Sequence, residues 1–451
     1  MKVVKFGGSS LASSTQLNKV VSIIKSDSTR KIIVVSAPGK RQADDQKVTD
    51  LLIEYAELYL AGDDYQKVQD AIITRYELIA NELALPQQII QEIAQSFKNL
   101  TLSNRKDQDK RRVLDRFKAS GEDNSAKLVA AFLQLKGLDA NYLNPQEAGL
   151  IVTDEPGNAL ILDSSFPKIM ELRDRGDIIV VPGFFGYTEA GEICTFSRGG
   201  SDVSGSILAA GVQADLYENF TDVDAIYVAD PRVIKEPHKI KELTFREMRE
   251  LSYSGFGVFH DEALIPAFRA GIEVVIKNTN NPDAPGTKIL LDREIGDQGV
   301  IGIAADSGFA LIYLSKYLMN REVGFGRKVL AIIEDEGLNY EHMPSGIDDI
   351  SVILREEQIT AAVEDRLIHR FQEELQVDEI HVKHNLSMLA IVGEGMKSNI
   401  GTAAKSTSAL AQAGVNLEMI NQGSSEVSIL FGIKTCHETK AIEALYHSFF
   451  K

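Results

Sequence analysis

The first ten residues constrain the fold most strongly, because they place a buried strand immediately before a glycine-rich turn. Residues 3–6 are apolar apart from Lys5, and Gly7 and Gly8 precede two serines. An apolar face with helical spacing then follows. Glycines let a backbone approach an anion closely, and a helix N-terminus adds a positive partial charge. We therefore expect a phosphate cradle with Lys5 as its mobile cation, or else an ordinary strand-to-helix turn.

Buried strands and helical patterns alternate through the first two thirds of the chain. The predicted strands are residues 32–35, 151–153, 178–181 and 216–220. The charge-rich stretch 62–118 predicts a helical subdomain that ends at residues 120–123. We expect residues 40–47 to form a mobile loop, and residues 278–287, dense in turn formers, to mark a boundary. The alternation is typical of a largely parallel sheet with helices on both faces.

The charge balance limits the class of partner that this chain can bind. The formal net charge is −17 over 451 residues, which disfavours a nucleic-acid partner or an anionic membrane surface. A site for an anionic ligand must therefore gather its cations locally. No apolar run approaches the length of a membrane span, and no signal peptide is evident.

The cysteines and histidines do not indicate a metal centre. Cys194 and Cys436 lie far apart in sequence, and His381 and His384 have no third ligand near them. Reduced thiols in a cytoplasmic protein are the simplest interpretation. No metal site built from protein ligands is expected.

A second glycine-rich turn, residues 196–202, opens another helical pattern. Arg198 and Asp202 stand on either side of Gly199 and Gly200. Arginine offers a bidentate fork for a carboxylate or a phosphate. The turn predicts an anion site, although a surface ion pair for Arg198 and a helix cap for Asp202 would give the same pattern.

Four polar residues at predicted element ends are ambiguous by themselves. Thr49 stands at the start of a helix, where it is either a ligand or an N-cap. Glu122 is predicted in a first helical turn, where an acid is either a ligand or a dipole partner. Thr221 and Asp222 follow a strand and are either turn formers or groups that position Mg²⁺ and nucleotide hydroxyls.

The last third of the chain contains an internal repeat. The segment Gly337-Leu-Asn-Tyr-Glu matches the segment Gly414-Val-Asn-Leu-Glu. We call the separation between Gly337 and Gly414 the repeat offset, and Gly324 matches Gly401 at the same offset. Two α+β modules of this size usually pair their sheets. The repeat predicts a regulatory pair that binds a small ligand, or a purely structural dimerisation unit.

Three ordered motifs and the repeat together closely resemble the aspartate kinase family. The motifs are Lys5-Phe-Gly-Gly-Ser-Ser, Ser197-Arg-Gly-Gly-Ser-Asp202, and Thr221-Asp-Val-Asp224 with Asp230-Pro-Arg232. The resemblance covers essentially the whole chain. It implies an α/β amino-acid-kinase fold, with a mainly parallel sheet sandwiched by helices, followed by two ferredoxin-like α+β ACT modules. It also implies phosphorylation of the L-aspartate side-chain carboxylate with ATP and Mg²⁺, the first step towards lysine, threonine and methionine.

The same resemblance implies roles for individual residues. The implied catalytic residues are Lys5 and Asp202; the ATP-binding residues are Lys5, Gly7, Gly8, Ser9, Thr221, Asp222, Tyr227 and Arg232; the aspartate-binding residues are Thr49, Glu122 and Arg198; and the effector-binding residues are Met319, Gly324, Phe325, Ser345 and Asp348. In this scheme Asp202 orients Lys5, Arg198 suits the second carboxylate of aspartate, and Glu122 suits its ammonium group.

The resemblance also implies a division of the chain. A catalytic domain would span residues 1–292, with the helical subdomain at 62–118, and ACT modules would span residues 300–376 and 377–451. The expected partners are L-aspartate and an end-product effector, lysine and/or threonine. We expect a homodimer or homotetramer assembled through the ACT modules.

Some positions depart from the family pattern. Ser9 or Ser10 stands where the family usually has threonine, and Ala225 stands where glycine is common. Gly257 takes a position that often carries a lysine facing ATP, for which Lys277 or Arg232 could compensate. A related kinase for another small acid or amino acid is one alternative. A non-catalytic amino-acid sensor on a kinase-like fold is the other, and Gly257 is its only support.

The proposed chemistry needs no general base. A side-chain carboxyl with an ordinary pKa of about 3.9 is already ionised at neutral pH. The difficulty is to bring one anion to another. We therefore expect catalysis to come from charge neutralisation and alignment by Lys5, Mg²⁺ and backbone N–H groups.

Overall fold

The structure, a computed structural model, describes residues 1–102, 109–197, 199–257, 262–295, 299–423, 425 and 427–451. These residues fall into two units. The first comprises Met1–Ile226, Lys239–Met248 and the described part of Val258–Arg293. The second comprises Tyr227–His238, Arg249–Gly257 and the described part of Glu294–Lys451.

Strands and helices alternate along the first unit. Its strands are β1 (Lys2–Phe6), β2 (Arg30–Val35), β3 (Ala140–Tyr142), β4 (Ile178–Pro182), β5 (Phe185–Tyr187), β6 (Ile193–Thr195), β7 (Leu216–Thr221), β8 (Glu242–Thr244), β9 (Val274–Asn278) and β10 (Thr287–Leu290). Its helices are α1 (Ser14–Lys25), α2 (Val48–Ala61), α3 (Gln66–Glu82), α4 (Gln87–Asn99), α5 (Lys110–Leu135), α6 (Ser165–Met170), α7 (Gly200–Gly211), α8 (Phe245–Tyr253), whose last residues belong to the second unit, and α9 (Ile265–Ala270).

An eight-stranded sheet with the order β3-β4-β2-β1-β7-β9-β10-β8 forms the centre of the first unit. Neighbouring strands in it run parallel except for the β9–β10 pair. Val3 and Val4 leave opposite faces of β1, and both are fully buried, so both faces of the sheet are covered. This arrangement confirms the expected α/β fold with a mainly parallel sheet.

The turn after β1 is longer than the sequence pattern predicts. Gly8–Leu11 forms a 3₁₀ helix, and α1 begins only at Ser14. Ser13 fixes that beginning, because its hydroxyl accepts a hydrogen bond of 3.3 Å from the backbone N–H of Gln16. The residues beside Gly7 therefore belong to a short turn and not to the first turn of α1.

Two stretches of the first unit differ from their predictions. Residues 151–153, predicted as a strand, are joined to Tyr187 and Ile161 by isolated bridges and do not form a strand of the sheet. Residues 278–287, predicted to mark a boundary, connect β9 to β10 inside the first unit. Their turn formers reverse the chain between two antiparallel strands, as tight reversals require.

The largest difference from prediction concerns α5. The sequence predicts a helix break at residues 120–123, but α5 runs through them without interruption. Gly121 serves close packing, because a Cβ there would lie 2.9 Å from Cβ of Ala37 and 2.9 Å from Cδ1 of Leu52. Glu122 therefore lies in the middle of a helix, and the prediction that it occupies a first helical turn is wrong.

Helices α3 and α4 lie inside the stretch that predicts a helical subdomain. The rings of Tyr76 and Phe97 pack between them with centroids 5.1 Å apart. Residues 103–108 of that stretch lie outside the described residues. Among the helices of the described ranges, none combines the length and the apolar character that crossing a bilayer requires.

The second unit carries the internal repeat. Its strands are β11 (Gly302–Ser315), β12 (Tyr340–His342), β13 (Asp349–Arg355), β14 (Glu379–Val392), β15 (Met419–Asn421) and β16 (Ser428–Lys434). Its further helices are α10 (Phe325–Asp335), α11 (Ala361–Leu375), α12 (Thr402–Gln412) and α13 (Glu438–Phe450). The strands form one sheet with the order β12-β13-β11-β14-β16-β15.

The structural elements recur at the repeat offset seen in the sequence. The first residues of β11 and β14, Gly302 and Glu379, are separated by this offset, and so are the first residues of α10 and α12, Phe325 and Thr402. The central strands β11 and β14 pair antiparallel. The sheets of the two modules are therefore joined, as two such modules were expected to pair.

Each long central strand serves both modules. β11 pairs with β13 from Phe309 onward, and β14 pairs with β16 from Leu386 onward. The preceding residues, Gly308 (φ 84°) and Asn385 (φ 56°), both have left-handed backbone conformations. They are separated by the repeat offset and bend their strands at equivalent points. Each module is therefore completed by half of the other module's long strand.

The repeat is not uniform along its length. The first residues of β11 and β14 are separated by the repeat offset. The first residues of β13 and β16, their partners, are separated by slightly more. Ser315 consequently pairs with Asp349, and Val392 pairs with Ser428. The shift is an even number of positions, which leaves every side chain on its original face of the sheet. This change therefore preserves the apolar core of each module.

Candidate active site

The side chain of Lys5 is held in one position near the carboxyl end of β1. Lys5 is 7% exposed, and its Nζ lies 2.6 Å from Oδ1 of Asp202. Asn219 on β7 donates a hydrogen bond of 2.6 Å to the same oxygen. Lys5 and Asn219 are register partners on neighbouring parallel strands, so their side chains leave the same face. The carboxylate of Asp202 therefore fixes a cation on that face.

Asp202 reaches Lys5 because of the way that α7 begins. Gly199 is the N-cap residue, with a left-handed φ of 73° that glycine adopts without steric cost. Asp202 follows in the first turn, where the helix dipole favours a carboxylate. The N-cap position thus belongs to Gly199, and the alternative that Asp202 serves as the cap is wrong.

The turn after Lys5 is in close contact with the loop that follows β2. A Cβ on Gly8 would lie 2.8 Å from the carbonyl oxygen of Ala37. The N–H of Gly39 donates a hydrogen bond of 2.8 Å to the carbonyl of Gly8. A Cβ on Gly7 would lie 3.6 Å from Nζ of Lys5, so the ammonium lies beside this turn. A fixed cation next to a small turn is a suitable place for an anion.

Glu122 brings a buried carboxyl group to the same region from α5. It is 5% exposed, and its Oε1 accepts a hydrogen bond of 3.0 Å from the N–H of Ala37. Among the described residues, its buried Oε2 has no hydrogen-bond partner. Burial raises the pKa of Glu122 to about 7, against the opposing effects of that hydrogen bond and of the charges of Lys118 and Lys5. Such a carboxyl is suited to receive a cationic group.

The two other predicted substrate ligands have different outcomes. Thr49 is the second residue of α2, whose N-cap position is taken by Lys47, so the alternative that Thr49 is the N-cap is wrong. Its role as a ligand stays a prediction. Arg198 lies outside the described residues, and its role likewise stays a prediction.

The predicted nucleotide ligands do not all lie in one unit. Thr221 ends β7, and its hydroxyl donates a hydrogen bond of 3.2 Å to Oδ1 of Asp222. Both belong to the first unit, whereas Tyr227 and Arg232 belong to the second. The Arg232 guanidinium is exposed and lies 2.6 Å from Oδ2 of Asp230.

Gly257 occupies the position where the family often has a lysine near ATP, and Lys277 is one candidate to replace that lysine. Gly257 is exposed and belongs to the second unit. Lys277 is the register partner of Phe220, and Ile276 that of Asn219. Because successive residues of a strand alternate between faces, Lys277 leaves the face opposite to Lys5. It lies over the Phe220 ring at 5.9 Å from the centroid, which disfavours it as a substitute.

The residues predicted to bind an effector lie around the start of α10 in the second unit. Gly324 caps this helix with a left-handed φ of 78°, and Phe325 and Met319 are buried. Oδ1 of Asp348 accepts a hydrogen bond of 2.8 Å from the N–H of Leu318. Ser345, in the same loop as Asp348, is exposed. Met319, Gly324 and Phe325 thus lie at or just before the start of α10, and Asp348 is hydrogen-bonded to the residue before Met319.

Sequence reasoning missed several residues of the candidate active site. Asn219 is a polar residue inside a strand that is otherwise buried, and this contrast was a usable signal. Gly39 ends the run Ser-Ala-Pro-Gly after a predicted strand, a place where open α/β sheets bind ligands, but the sequence alone did not assign it a role. Lys118 precedes Glu122 by one helical turn on α5, so only the unbroken helix places both on one face.

The described residues include no group of three or more histidine, cysteine or acidic side chains arranged to hold a metal ion. Mg²⁺ in kinases is usually bound through substrate phosphates with one or two carboxylates and several waters. The Asp222 carboxylate at the end of β7 could give one oxygen ligand to a metal that arrives with a nucleotide, whereas the ammonium group of Lys5 suits the phosphates themselves. These two residues do not form a metal cage by themselves.

Comparisons with known proteins identify the family and support the fold. A model of the amino acid kinase family matches residues 1–278, and a model of the ACT domain matches residues 389–449. The chain is 57% identical to aspartokinase 3 of Bacillus subtilis over 450 residues, which cover 100% of this chain and 99% of that protein.

Solved structures give the same result. The aspartate kinase of Clostridium acetobutylicum, described as an allosteric enzyme, is 38% identical, with a TM-score of 0.86 and coverage of 100% of both chains. Aspartokinase III of E. coli, solved in complex with aspartate and ADP, is 22% identical with a TM-score of 0.80, again over 100% of both chains. The latter likeness concerns the fold.

The raised pKa of Glu122 predicts a pH dependence of stability. Between about pH 5 and pH 7 this carboxyl stays protonated in the folded protein, whereas in the unfolded chain it loses its proton near its ordinary pKa of 4.5. Stability should therefore fall as pH rises through this window, by at most about 1.4 kcal/mol per pH unit. Urea unfolding from pH 5 to pH 7.5 should show this slope for the natural protein and not for Glu122→Gln.

The matched control is Glu92→Gln, which alters an exposed carboxylate in the same unit. Its unfolding free energy should follow that of the natural protein across the window. Equal slopes for the natural protein and for Glu122→Gln would show that Glu122 has an ordinary pKa and is not desolvated.

Proposed function

The chain belongs to the aspartokinases of the amino acid kinase family, and we propose that its first unit transfers the terminal phosphoryl group of ATP to the side-chain carboxylate of L-aspartate. A carboxylate oxygen forms the new bond to phosphorus as the bond between that phosphorus and the ADP oxygen breaks. The products are 4-phospho-L-aspartate and ADP. This reaction is the first step in the biosynthesis of lysine, threonine and methionine.

The observation that carries this proposal is the buried ammonium group of Lys5 beside the turn at residues 7–9. Two unit negative charges 4 Å apart repel by about 4 kcal/mol at an effective dielectric constant of 20. A cation placed between them removes much of that repulsion. Because Lys5 is already fixed in position, no free energy is spent on ordering it during the reaction. An ammonium has three N–H donors, so its bond to Asp202 is compatible with phosphate contacts.

The nucleotide contacts are part of the proposal. The backbone of Gly7, Gly8 and Ser9 would bind the phosphates, and Thr221 and Asp222 at the end of β7 would line the nucleotide site. Tyr227 and Arg232 complete the proposed set. Mg²⁺, carried on the phosphates, would supply further charge neutralisation. Asp222 is the described carboxylate that we assign to its coordination shell.

The aspartate contacts follow from charge. The ammonium group of the substrate would bind the free Oε2 of Glu122, which otherwise stays buried without a partner among the described residues. Binding of this cation favours the ionised form of Glu122. Arg198 and Thr49 complete the proposed site, with the arginine on the second carboxylate. The reacting carboxylate then faces Lys5.

We further propose that the second unit regulates the first. The catalytic domain would comprise residues 1–292, and the ACT modules residues 300–376 and 377–451. An end product, lysine and/or threonine, would bind at Met319, Gly324, Phe325, Ser345 and Asp348. The Asp348 carboxylate suits the ammonium group of such a ligand. Assembly into a homodimer or homotetramer would proceed through the ACT modules.

Loss of the Lys5 cation should slow the reaction strongly. With Mg·ATP, aspartate and hydroxylamine, the natural protein should form an acyl hydroxamate, because hydroxylamine traps the acyl phosphate. Lys5→Ala should lower kcat by at least about 10²-fold, the usual loss when a transition-state donor is removed. The hydroxamate assay measures both.

Lys2→Ala provides the matched control, because Lys2 lies at the other end of β1 and pairs with Asp27 at 2.8 Å. Its kcat should stay within about twofold of the natural value, since this half-buried ion pair joins β1 to Asp27 and not to the proposed site. Hydroxamate formation by Lys5→Ala at the natural rate would contradict the proposed role of Lys5. No product from the natural protein would contradict the proposed reaction.

Effector binding predicts a loss of activity together with a gain of stability. Lysine and threonine, added in turn, should include at least one that lowers the kinase rate and raises the melting temperature, because a ligand stabilises the state that it binds. Asp348→Asn should weaken both effects, whereas Asp365→Asn, at an exposed site on α11, should leave them intact. Neither amino acid changing either quantity would refute regulation by these end products.

A further inference from the structure

The helical subdomain contributes one buried arginine to the loop behind the phosphate turn. Arg75 lies on α3, and its side chain is 5% exposed. Its Nη1 donates a hydrogen bond of 3.2 Å to the carbonyl of Gly39. Its Nη2 lies 2.7 Å from Oδ1 of Asp45 and 3.3 Å from the carbonyl of Gln46. One guanidinium group therefore holds both ends of a single loop.

We name this loop, residues 39–47, the strap. Most of its residues are exposed, but Gly39 is buried and Asp45 is half-buried. These two are contacts of Arg75, so the arginine attaches the strap where it enters the protein. The sequence predicts a mobile loop over residues 40–47. The local sequence contains no sign of this attachment, because the whole of α2 lies between the strap and the helix that carries Arg75.

The strap touches the candidate active site at its first residue. The N–H of Gly39 donates to the carbonyl of Gly8, and a Cβ on Gly39 would lie 2.7 Å from the carbonyl carbon of Gly8. Only a glycine held at this place allows such an approach. A displacement of Gly39 would therefore move the backbone of Gly8, which belongs to the proposed phosphate turn.

The strap leads at its other end into the proposed aspartate site. Its last residue, Lys47, is the N-cap residue of α2. The N–H of Val48 donates a hydrogen bond of 3.1 Å to the carbonyl of Pro38, which closes the loop at its base. Thr49, a proposed aspartate ligand, is the next residue. The strap thus connects a phosphate contact with a substrate contact.

We propose that Arg75 is a positioning residue for phosphoryl transfer. Its hydrogen bonds to both ends of the strap fix the position of the phosphate turn relative to the start of α2. The inference rests on the proposed kinase function. Arg75 itself contacts neither the turn nor Thr49, and it acts through Gly39 and through Asp45 with Gln46. Misplacement of reacting groups by about 1 Å lowers rates by as much as about 10²-fold.

The hydrogen bonds of residue 75 to the strap require an arginine. Two carbonyl oxygens and one carboxylate accept hydrogen bonds from two nitrogens of one planar group. A lysine at residue 75 would keep the positive charge, but its single ammonium is a point donor and cannot span these acceptors. Arg75→Lys therefore removes the hydrogen-bond geometry and keeps the positive charge.

The chain contains a matched control on the same carboxylate. Nε of Arg41 lies 2.9 Å from Oδ2 of Asp45, and its Nη2 lies 3.1 Å from Oδ1. Arg41 is itself part of the strap, and its side chain is 41% exposed, so it binds Asp45 from the solvent side. Arg41→Lys changes a neighbouring arginine–carboxylate contact without altering the attachment of the strap to α3.

The experiment compares Arg75→Lys, Asp45→Asn and Arg41→Lys with the natural protein by hydroxamate kinetics and by melting temperature. For Arg75→Lys, kcat per folded molecule should fall about tenfold or more, while KM for ATP changes less than kcat and the protein stays folded at the assay temperature. Asp45→Asn, which weakens the contact of the strap with Arg75, should also lower kcat. Arg41→Lys should leave kcat within about twofold.

Three results would overturn the inference while the natural protein remains active. The first is an unchanged kcat per folded molecule for Arg75→Lys with a lower melting temperature, which would identify a merely structural arginine. The second is an unchanged kcat for Asp45→Asn, a test that stands even if Arg75→Lys does not fold. The third is an equal loss for Arg41→Lys. Inactivity of the natural protein would instead reject the proposed kinase function.

Discussion

The ion pair between Lys5 and Asp202 is the contact on which the catalytic unit depends. It joins the end of the central strand to the first turn of α7, and Asn219 supports it from the neighbouring strand. Removing two charges from water is costly unless further hydrogen bonds accompany the pair. The fold meets this condition and thereby keeps one cation in place within a chain whose net charge is −17.

Contacts that depend on adjacent residues could be predicted from the sequence, whereas contacts between distant segments could not. The β1 strand and the start of α7 each lie within a few consecutive residues, so their patterns are complete in the sequence. Gly121 is different, because a glycine fits a turn and a close helix contact equally well. Ala37 and Leu52, which decide the matter, come from distant parts of the chain. The position of Glu122 therefore required the structure.

The pair of repeat modules shows the same limit. The repeat offset is visible in the sequence, because equivalent elements recur at that separation. The exchange of half-strands between modules depends on the pairing partners of β11 and β14, which no local pattern records. Gly308 and Asn385 mark the exchange points through their backbone conformation. The two modules are thus interleaved, so a ligand that alters one central strand acts on both.

A crystal structure of this chain with aspartate, Mg²⁺ and a non-hydrolysable ATP analogue would test the role of Lys5 directly. We expect Nζ of Lys5 at about 3 Å from an oxygen of the terminal phosphate, with the contact to Asp202 retained and the aspartate side chain facing that phosphate. A terminal phosphate bound more than about 6 Å from Lys5, beyond any hydrogen bond, would show that this cation does not bring the two anions together.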